Sequence, residues 1–145
     1  GFFVHSNNEV TYIMMIGKLL KNRAGQSMVE MAIILPVLLL VLMGIFEFGR
    51  IFNSYLILTN ASREAARDAA IGSSDTEITQ TINGSIFYLD TSDLTISISP
   101  SEGSRSSGTN ATVNLKYEID IVTPIIDSLI PDPLIIESET VMRVE

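Results

Sequence analysis

The sequence predicts an α+β fold, in which one long N-terminal helix packs on a small antiparallel sheet of about three strands. A charge-free apolar run of sixteen residues, 31–46, lies near the N-terminus. Alanine-rich sequence without a helix breaker follows this run as far as residue 70. The second half of the chain contains stretches that alternate apolar and polar residues. Such alternation is typical of strands in an antiparallel sheet that buries one face.

The apolar run is marginally long enough to cross a bilayer as a helix. A spanning helix needs about 20 residues, with roughly 17 tolerated. Extending the run to residues 26–49 reaches a full span and admits two carboxylates near its ends, those of Glu30 and Glu47. The positive mean hydropathy and the net charge of -8 together favour a membrane-tethered protein with an acidic soluble part.

Basic residues directly before the run set its predicted orientation. Lys18, Lys21 and Arg23 lie there without an acidic neighbour. Because basic flanks stay in the cytoplasm, we expect a single-pass inner-membrane protein with its C-terminal domain outside. The predicted segments are a cytoplasmic leader over 1–25, a transmembrane helix over 26–49 and an extracytoplasmic domain over 50–145.

The first thirteen residues show no helical or strand period. They precede Met14 and Met15, either of which is followed by a plausible basic leader. We interpret residues 1–13 as upstream sequence and leave them out of the fold prediction.

Composition argues against several classes of function. The chain has no cysteine and one histidine, His5, so a disulfide framework, a zinc site and a nucleophile triad lack their residues. From residue 51 onward there are five basic and fourteen acidic side chains, which argues against nucleic acid as a partner. We expect a non-enzymatic protein with no cofactor.

Two acidic pairs make a calcium site conceivable. Each pair places its carboxylates on the outward face of a predicted strand: Glu118 with Asp120, and Glu137 with Glu139. Solvated strand faces of this kind are far commoner than metal sites, so we assign no metal ligand.

Glu30 and Pro36 are unexpected in a membrane helix. An ionisable group near the start of such a helix costs about 1–3 kcal/mol depending on its depth, so it suggests a function. Proline removes one helical hydrogen bond and favours a kink. A cleaved secretory signal would need an A-x-A site after the run, which "GIFEFGRIFNSY" lacks. A plain signal anchor leaves Glu30 unexplained unless that carboxylate lies among the headgroups.

The order of basic leader, Gly25, Glu30 and apolar helix resembles the class III signal of type IV pilins and pseudopilins. In that family a prepilin peptidase cuts after the glycine, so the resemblance implies cleavage between Gly25 and Gln26. It also implies that Glu30 neutralises the new N-terminal amine of a neighbouring subunit. Neighbouring helices can accommodate the kink at Pro36.

Two longer stretches narrow the resemblance. "GQSMVE...LP...FEFGR...N.SREAAR" and the closing "TPIIDSLIPDPLIIESETVMRVE" resemble TadE-like proteins, minor pilins of the tight adherence (Flp) pilus machinery. Asp68 and Asp127 depart from the apolar or small residues expected there. The resemblance implies other pilin or pseudopilin subunits, a prepilin peptidase, an inner-membrane assembly platform and membrane lipid as partners. The alternative is a static membrane-anchored extracytoplasmic binding module that is neither cleaved nor polymerised.

Residues 49–70 continue the predicted helix beyond the membrane, so that one helix covers 26–71. Apolar and small side chains recur there every three or four positions on one side, at Ile51, Tyr55, Leu58, Ala61, Ala65 and Ala69. Two ion pairs are predicted at a spacing of three residues, Glu47 with Arg50 and Glu64 with Arg67.

Beyond Gly72, a natural helix stop, Ser74 and Glu77 form the pattern of a capping box. A short helix is predicted to follow, with Ile78, Ile82 and Ile86 on one face. Three strands are predicted over 94–99, 111–121 and 135–144. The segment 101–110 has the composition of an exposed loop.

Overall fold

The computed structural model describes residues 4–20, 23–124, 126 and 128–145. Lys21 and Asp127, both considered above, lie outside the described residues. Within the described residues there are three α-helices and three strands: α1 (Val4–Leu20), α2 (Arg23–Ala70), α3 (Asp75–Ser85), β1 (Leu94–Ser99), β2 (Asn110–Ile119) and β3 (Leu134–Arg143). Two short 3-10 helices lie at Thr91–Asp93 and Glu102–Ser104. This architecture confirms the predicted α+β class with a long helix and a three-stranded antiparallel sheet. Contacts divide the chain into two units, Gly1–Met43 and Gly44–Glu145.

Helix α1 was not predicted, because residues 1–13 show no helical period. The period of a globular helix arises when one face is buried and the other is wet. The side chains of residues 9–18 are all exposed, so this part of α1 has no buried face to impose such a pattern.

Helix α2 confirms the long helix predicted over 26–71, with bounds that differ by a few residues. Every residue from 26 to 43 is exposed, although most of them are apolar. Pro36 lies within α2 and does not end it. In the described part of the chain, α2 is the one helix long and apolar enough to cross a membrane.

Within the second unit, the outer part of α2 packs on the sheet. Its fully buried side chains recur at three or four positions and include Leu58, Ala61, Ala65 and Ala69. They belong to the same buried cluster as Val113 and Leu115 of β2, Ile78 and Ile82 of α3, and Ile86, which caps the end of α3. Alanine allows the helix and sheet backbones to approach closely, so this half of α2 serves as the spine of the module.

The end of α2 and the start of α3 match the predicted signals. Gly72 has a φ of +86°, a left-handed conformation that favours glycine. The Ser74 hydroxyl accepts from the Glu77 amide at 3.2 Å, and the Glu77 carboxylate accepts from the Ser74 amide at 2.9 Å. The capping box is therefore formed. Ile78, Ile82 and Ile86 are fully buried, as predicted.

The predicted Glu64–Arg67 pair is wrong, because Glu64 accepts a hydrogen bond from Ser85 Oγ at 2.8 Å and no described ion pair joins it to Arg67. Asp68, a departure from the family pattern, accepts from Thr81 Oγ1 at 2.7 Å. Two polar contacts thus attach α3 to the side of α2.

The sheet has the strand order β1-β2-β3, and both pairings are antiparallel. Leu94, Ile96 and Ile98 of β1 lie opposite Tyr117, Leu115 and Val113 of β2. The alternation of half-buried and exposed residues along β1 confirms the predicted inward face.

The segment 101–110, predicted to be an exposed loop, contains a short 3-10 helix at Glu102–Ser104, the first residue of β2 and one buried side chain, that of Arg105. The Arg105 side chain is 4% exposed and pairs with Asp75. It also donates to the carbonyl oxygens of Ser73 at 2.7 Å and Pro100 at 3.1 Å. Burial lowers the pKa of the Arg105 guanidinium from its ordinary value. Arg105 therefore attaches a loop of exposed composition to the start of α3.

Candidate functional site

The predicted cleavage position lies in the first turns of α2. Because the helix begins at Arg23, the peptide bond between Gly25 and Gln26 has helical backbone on both sides. The Ser27 hydroxyl donates to the Arg23 carbonyl at 3.1 Å, which closes one of these turns. Gln26 is exposed and Gly25 is half-buried.

Glu30 lies one turn after Gln26 on the same face of α2, and its side chain is exposed. The Gln26 side-chain amide donates to Glu30 Oε1 at 3.1 Å. This donor is neutral, so it satisfies a lone pair without compensating the charge. Among residues 4–20, 23–124, 126 and 128–145, no cationic group forms an ion pair with Glu30.

The apolar surface that follows Glu30 is ridged. Five side chains border a shallow groove that contains no polar surface: Ile33, Ile34, Val37, Leu38 and Val41. They form two adjacent rows with a spacing of four residues, one of Ile33, Val37 and Val41 and one of Ile34 and Leu38. Rows of this spacing are the ridges that interdigitate when one helix packs on another.

Glu47, at the other end of the apolar run, is 4% exposed and fully paired. Its Oε1 forms the predicted ion pair with Arg50. Its Oε2 accepts from Thr123 Oγ1 at 3.0 Å and from the Val122 amide at 3.3 Å. The Arg50 guanidinium also donates to the carbonyl of Asp120. The carboxylate therefore joins α2 to the chain that follows β2.

Sequence reasoning found the Glu47–Arg50 pair but not its loop partners. Val122 and Thr123 are more than seventy residues away in the chain and belong to no local motif. The available signal was Glu47 itself, because a carboxylate beside an apolar run needs donors that its own helix cannot fully supply.

Of the two acidic pairs, Glu137 and Glu139 contact protein donors. Asn114 Nδ2 donates to Glu137 Oε1 at 2.5 Å and to Glu139 Oε2 at 3.3 Å, and Lys116 Nζ lies 3.6 Å from Glu137 Oε1. The hydrogen bond from Asn114, together with the Lys116 charge, lowers the pKa of Glu137. Within the described ranges, no group of three or more histidine, cysteine or acidic side chains is arranged to hold a metal ion.

Residues 25–67 match the family model described as TadE-like protein. This segment of the chain is TadE-like. The match confirms the resemblance predicted from the N-terminal motifs, whereas the resemblance of the closing residues 123–145 stays a prediction. The TadE-like segment begins at Gly25, contains Glu30, Pro36 and Glu47, and ends within α2. No curated protein and no solved structure gave a significant match to the chain.

Proposed function

We propose that the protein is a non-enzymatic minor pilin or pseudopilin subunit for assembly of a tight adherence (Flp-type) pilus. One observation carries this proposal: the TadE-like segment coincides with an exposed apolar helix that has Glu30 at its start. Before assembly the subunit lies in the inner membrane, with its N-terminus in the cytoplasm and residues 50–145 outside. The function is thus to pack with other subunits rather than to transform a substrate.

The exposed apolar part of α2 contacts lipid before assembly and other subunits after assembly. In the membrane form it contacts lipid, which favours its unbroken surface of large apolar side chains. In the filament it contacts the corresponding helices of other pilin or pseudopilin subunits. The two rows of apolar side chains along α2, which extend past Pro36, form ridges that suit this second contact. Pro36 leaves a backbone carbonyl without its helical donor, a cost that neighbouring helices can offset.

Glu30 supplies the specificity of this packing. Cleavage between Gly25 and Gln26 creates an ammonium group on Gln26. The ammonium of one subunit neutralises the Glu30 carboxylate of its neighbour, and a paired charge is much less costly to bury than a single one. The neutral amide of Gln26 leaves the Glu30 charge available for that partner.

The peptidase has to open the start of α2 before it can cut. Proteases bind extended backbone, whereas the Gly25–Gln26 bond is helical in the uncleaved chain. Glycine lowers the cost of opening, because it stabilises a helix by about 1 kcal/mol less than alanine does. The prepilin peptidase and the inner-membrane assembly platform are the partners that act before polymerisation.

The test is the intact mass and N-terminal sequence of the membrane form, expressed with and without a prepilin peptidase. The proposal predicts a chain that starts at Gln26 only when the peptidase is present. Gly25→Val should block this cut, whereas Gly17→Val, in the exposed helix α1, should not. A wild-type chain that keeps its leader in the presence of an active peptidase contradicts the proposal.

A second function, a static membrane-anchored binding module, is favoured by the helical backbone at the cleavage position. In that account α2 is only an anchor and Glu30 lies among the headgroups. The same measurement separates the two, because a static module keeps residues before Gln26 under both conditions.

A further inference from the structure

The chain between β2 and β3 is attached to α2 at the outer end of the apolar run. The Val122 amide and the Thr123 hydroxyl both donate to Glu47 Oε2, and Asp120 accepts from Arg50. Glu47 directly follows the run 31–46 in the sequence. These contacts place the start of the connection at the level where the run ends.

Ile126 belongs to the same connection and contacts α2 about one turn before Glu47. Its Cδ1 lies 3.7 Å from the position that a Cβ would occupy on Gly44, which is ordinary van der Waals contact. Gly44 belongs to the apolar run, so the connection overlaps the last turn of the run. Gly44 has no side chain, so the Ile126 side chain fills the space that a larger residue at position 44 would occupy.

Among the described residues of this connection, Val122 and Leu129 have large apolar side chains that are left uncovered. Val122 is 71% exposed and Leu129 is 78% exposed. Phe48, the neighbour of Glu47 on α2, is also exposed. Large apolar side chains that are exposed beside the end of the apolar run indicate a contact surface. We call Val122, Leu129 and Phe48 the loop surface.

We propose that the loop surface inserts into the outer headgroup and acyl boundary of the bilayer that α2 crosses. The inference rests on the proposed membrane anchoring. Lipid is the occupant because the surface is continuous with the apolar run. Exposed side chains at the end of a spanning helix lie at the depth of the headgroup and acyl boundary. Apolar side chains are stabilised at this depth.

The backbone of the connection is suited to this depth. The Ile121 amide donates to Asp132 Oδ1 at 3.2 Å, and the Val122 amide donates to Glu47. The Leu129 and Ile130 amides both donate to the Ile126 carbonyl, at 2.9 and 3.0 Å. Because these groups are bonded within the chain, moving them away from water costs less than it would for open loop backbone.

Tryptophan scanning of the full chain in vesicles tests this surface. The chain has no tryptophan, so each substitution introduces the one indole in the molecule. Val122→Trp and Leu129→Trp report on the loop surface, and Leu39→Trp reports on insertion of α2. Tyr88→Trp is the matched control, because Tyr88 is also 78% exposed. It follows Ser85, which bonds Glu64, and Glu64 lies about 25 Å along α2 from Glu47.

The vesicles contain phosphatidylcholine with or without bromine on the acyl chains, and bromine quenches indole emission on contact. We expect the brominated lipid to remove most of the emission of the Leu39, Leu129 and Val122 variants and to leave that of Tyr88→Trp unchanged. Quenching at Leu39 alone overturns the proposed loop surface and leaves the anchoring intact. Emission at Leu39 that bromine does not quench overturns the anchoring as well. A blue shift at Leu129 without quenching, growing with protein concentration, assigns the surface to a second copy and overturns the lipid contact.

Discussion

Glu30 and Glu47 lie at the two ends of the same apolar run, and their surroundings are opposite. Glu30 is exposed and accepts one hydrogen bond from a neutral amide. Glu47 is buried and accepts from a guanidinium, a hydroxyl and a backbone amide. The chain therefore completes the pairing of one carboxylate and leaves the other without a cation among the described residues. The difference separates a carboxylate that stabilises its own module from one that is available to another chain.

The largest effect is expected for Glu30→Ala. The variant should insert into the membrane normally, and it should be lost from filaments because the neighbouring ammonium has no partner. Its free energy of unfolding should change by less than about 0.5 kcal/mol, as for other exposed positions. The ratio of subunit in sheared filaments to subunit in membranes measures the loss.

Met28→Ala is the control for Glu30→Ala, because Met28 is exposed on the same part of α2 and carries no charge. Normal incorporation of Glu30→Ala would break the comparison, since Glu30 would then be dispensable for assembly.

Glu47→Ala tests the other side of the comparison. The variant leaves the Thr123 hydroxyl and the Val122 amide without their acceptor and removes the Arg50 ion pair. We expect the free energy of unfolding to fall by about 2–4 kcal/mol, measured by denaturant titration in detergent micelles. Glu47→Gln should lose less, because its carbonyl oxygen can still accept. A Glu47→Ala chain as stable as Glu30→Ala would contradict the account.

Ser62 sharpens the comparison by providing a buried polar group without charge. Its hydroxyl lies 2.9 Å from Ser138 Oγ and 2.9 Å from Thr140 Oγ1, which joins α2 to β3. Ser62→Ala should lower the free energy of unfolding by about 1–2 kcal/mol. Ser54→Ala is the matched control, because Ser54 is buried and its hydroxyl donates to the Arg50 carbonyl of its own helix, with no hydrogen bond to the sheet in the described part of the chain. Equal losses for the two variants would show that the contact with the sheet contributes nothing.

Glu77 separates exposure from pairing, because it is exposed like Glu30 but accepts from both the backbone amide and the hydroxyl of Ser74, whereas Glu30 accepts from one side-chain amide. Hydrogen bonds from the Ser74 amide and then the Ser74 hydroxyl lower its pKa below the ordinary 4.5. A carboxyl with a lowered folded-state pKa stabilises the fold above its unfolded-state pKa, and this contribution is lost as pH falls through the folded value.

Thermal unfolding of wild type and Glu77→Gln across acid pH checks this prediction. The wild-type melting temperature should fall more steeply below about pH 4.5 than that of Glu77→Gln. Ser74→Ala should cost about 1 kcal/mol at neutral pH through loss of the cap. Parallel pH profiles of Glu77→Gln and wild type would remove Glu77 as a contributor.

Local patterns in the sequence predicted most of the elements. The capping box at Ser74, the stop at Gly72 and the alternation in β1 each depend on neighbours a few residues away, so single-sequence reasoning reaches them. The apolar run likewise predicted a candidate membrane span. Helix α1 was missed because residues 9–18, the part of it whose burial is described, have no buried face that would make the sequence periodic.

Long-range polar contacts could not be predicted in the same way. Arg105 lies in a segment whose composition indicates an exposed loop, yet its guanidinium is buried against the start of α3. The predicted Glu64–Arg67 pair failed because Ser85, on another helix, offers a hydroxyl to Glu64. In each case the partner is chosen by packing, and packing is not visible in the spacing of neighbouring residues.

The most direct test of the comparison is zero-length carbodiimide cross-linking of filaments assembled from a mixture of isotopically light and heavy subunits. Carbodiimide joins a carboxylate to an amine in contact, and Lys116 with Glu137, 3.6 Å apart in one chain, provides the internal control. The account predicts that Glu30 is joined to the Gln26 α-amine of a differently labelled chain, while Lys116 and Glu137 are joined only within one label. If Lys116 and Glu137 are cross-linked normally but no product joins Glu30 to the Gln26 α-amine of a differently labelled chain, the intermolecular role of Glu30 is contradicted.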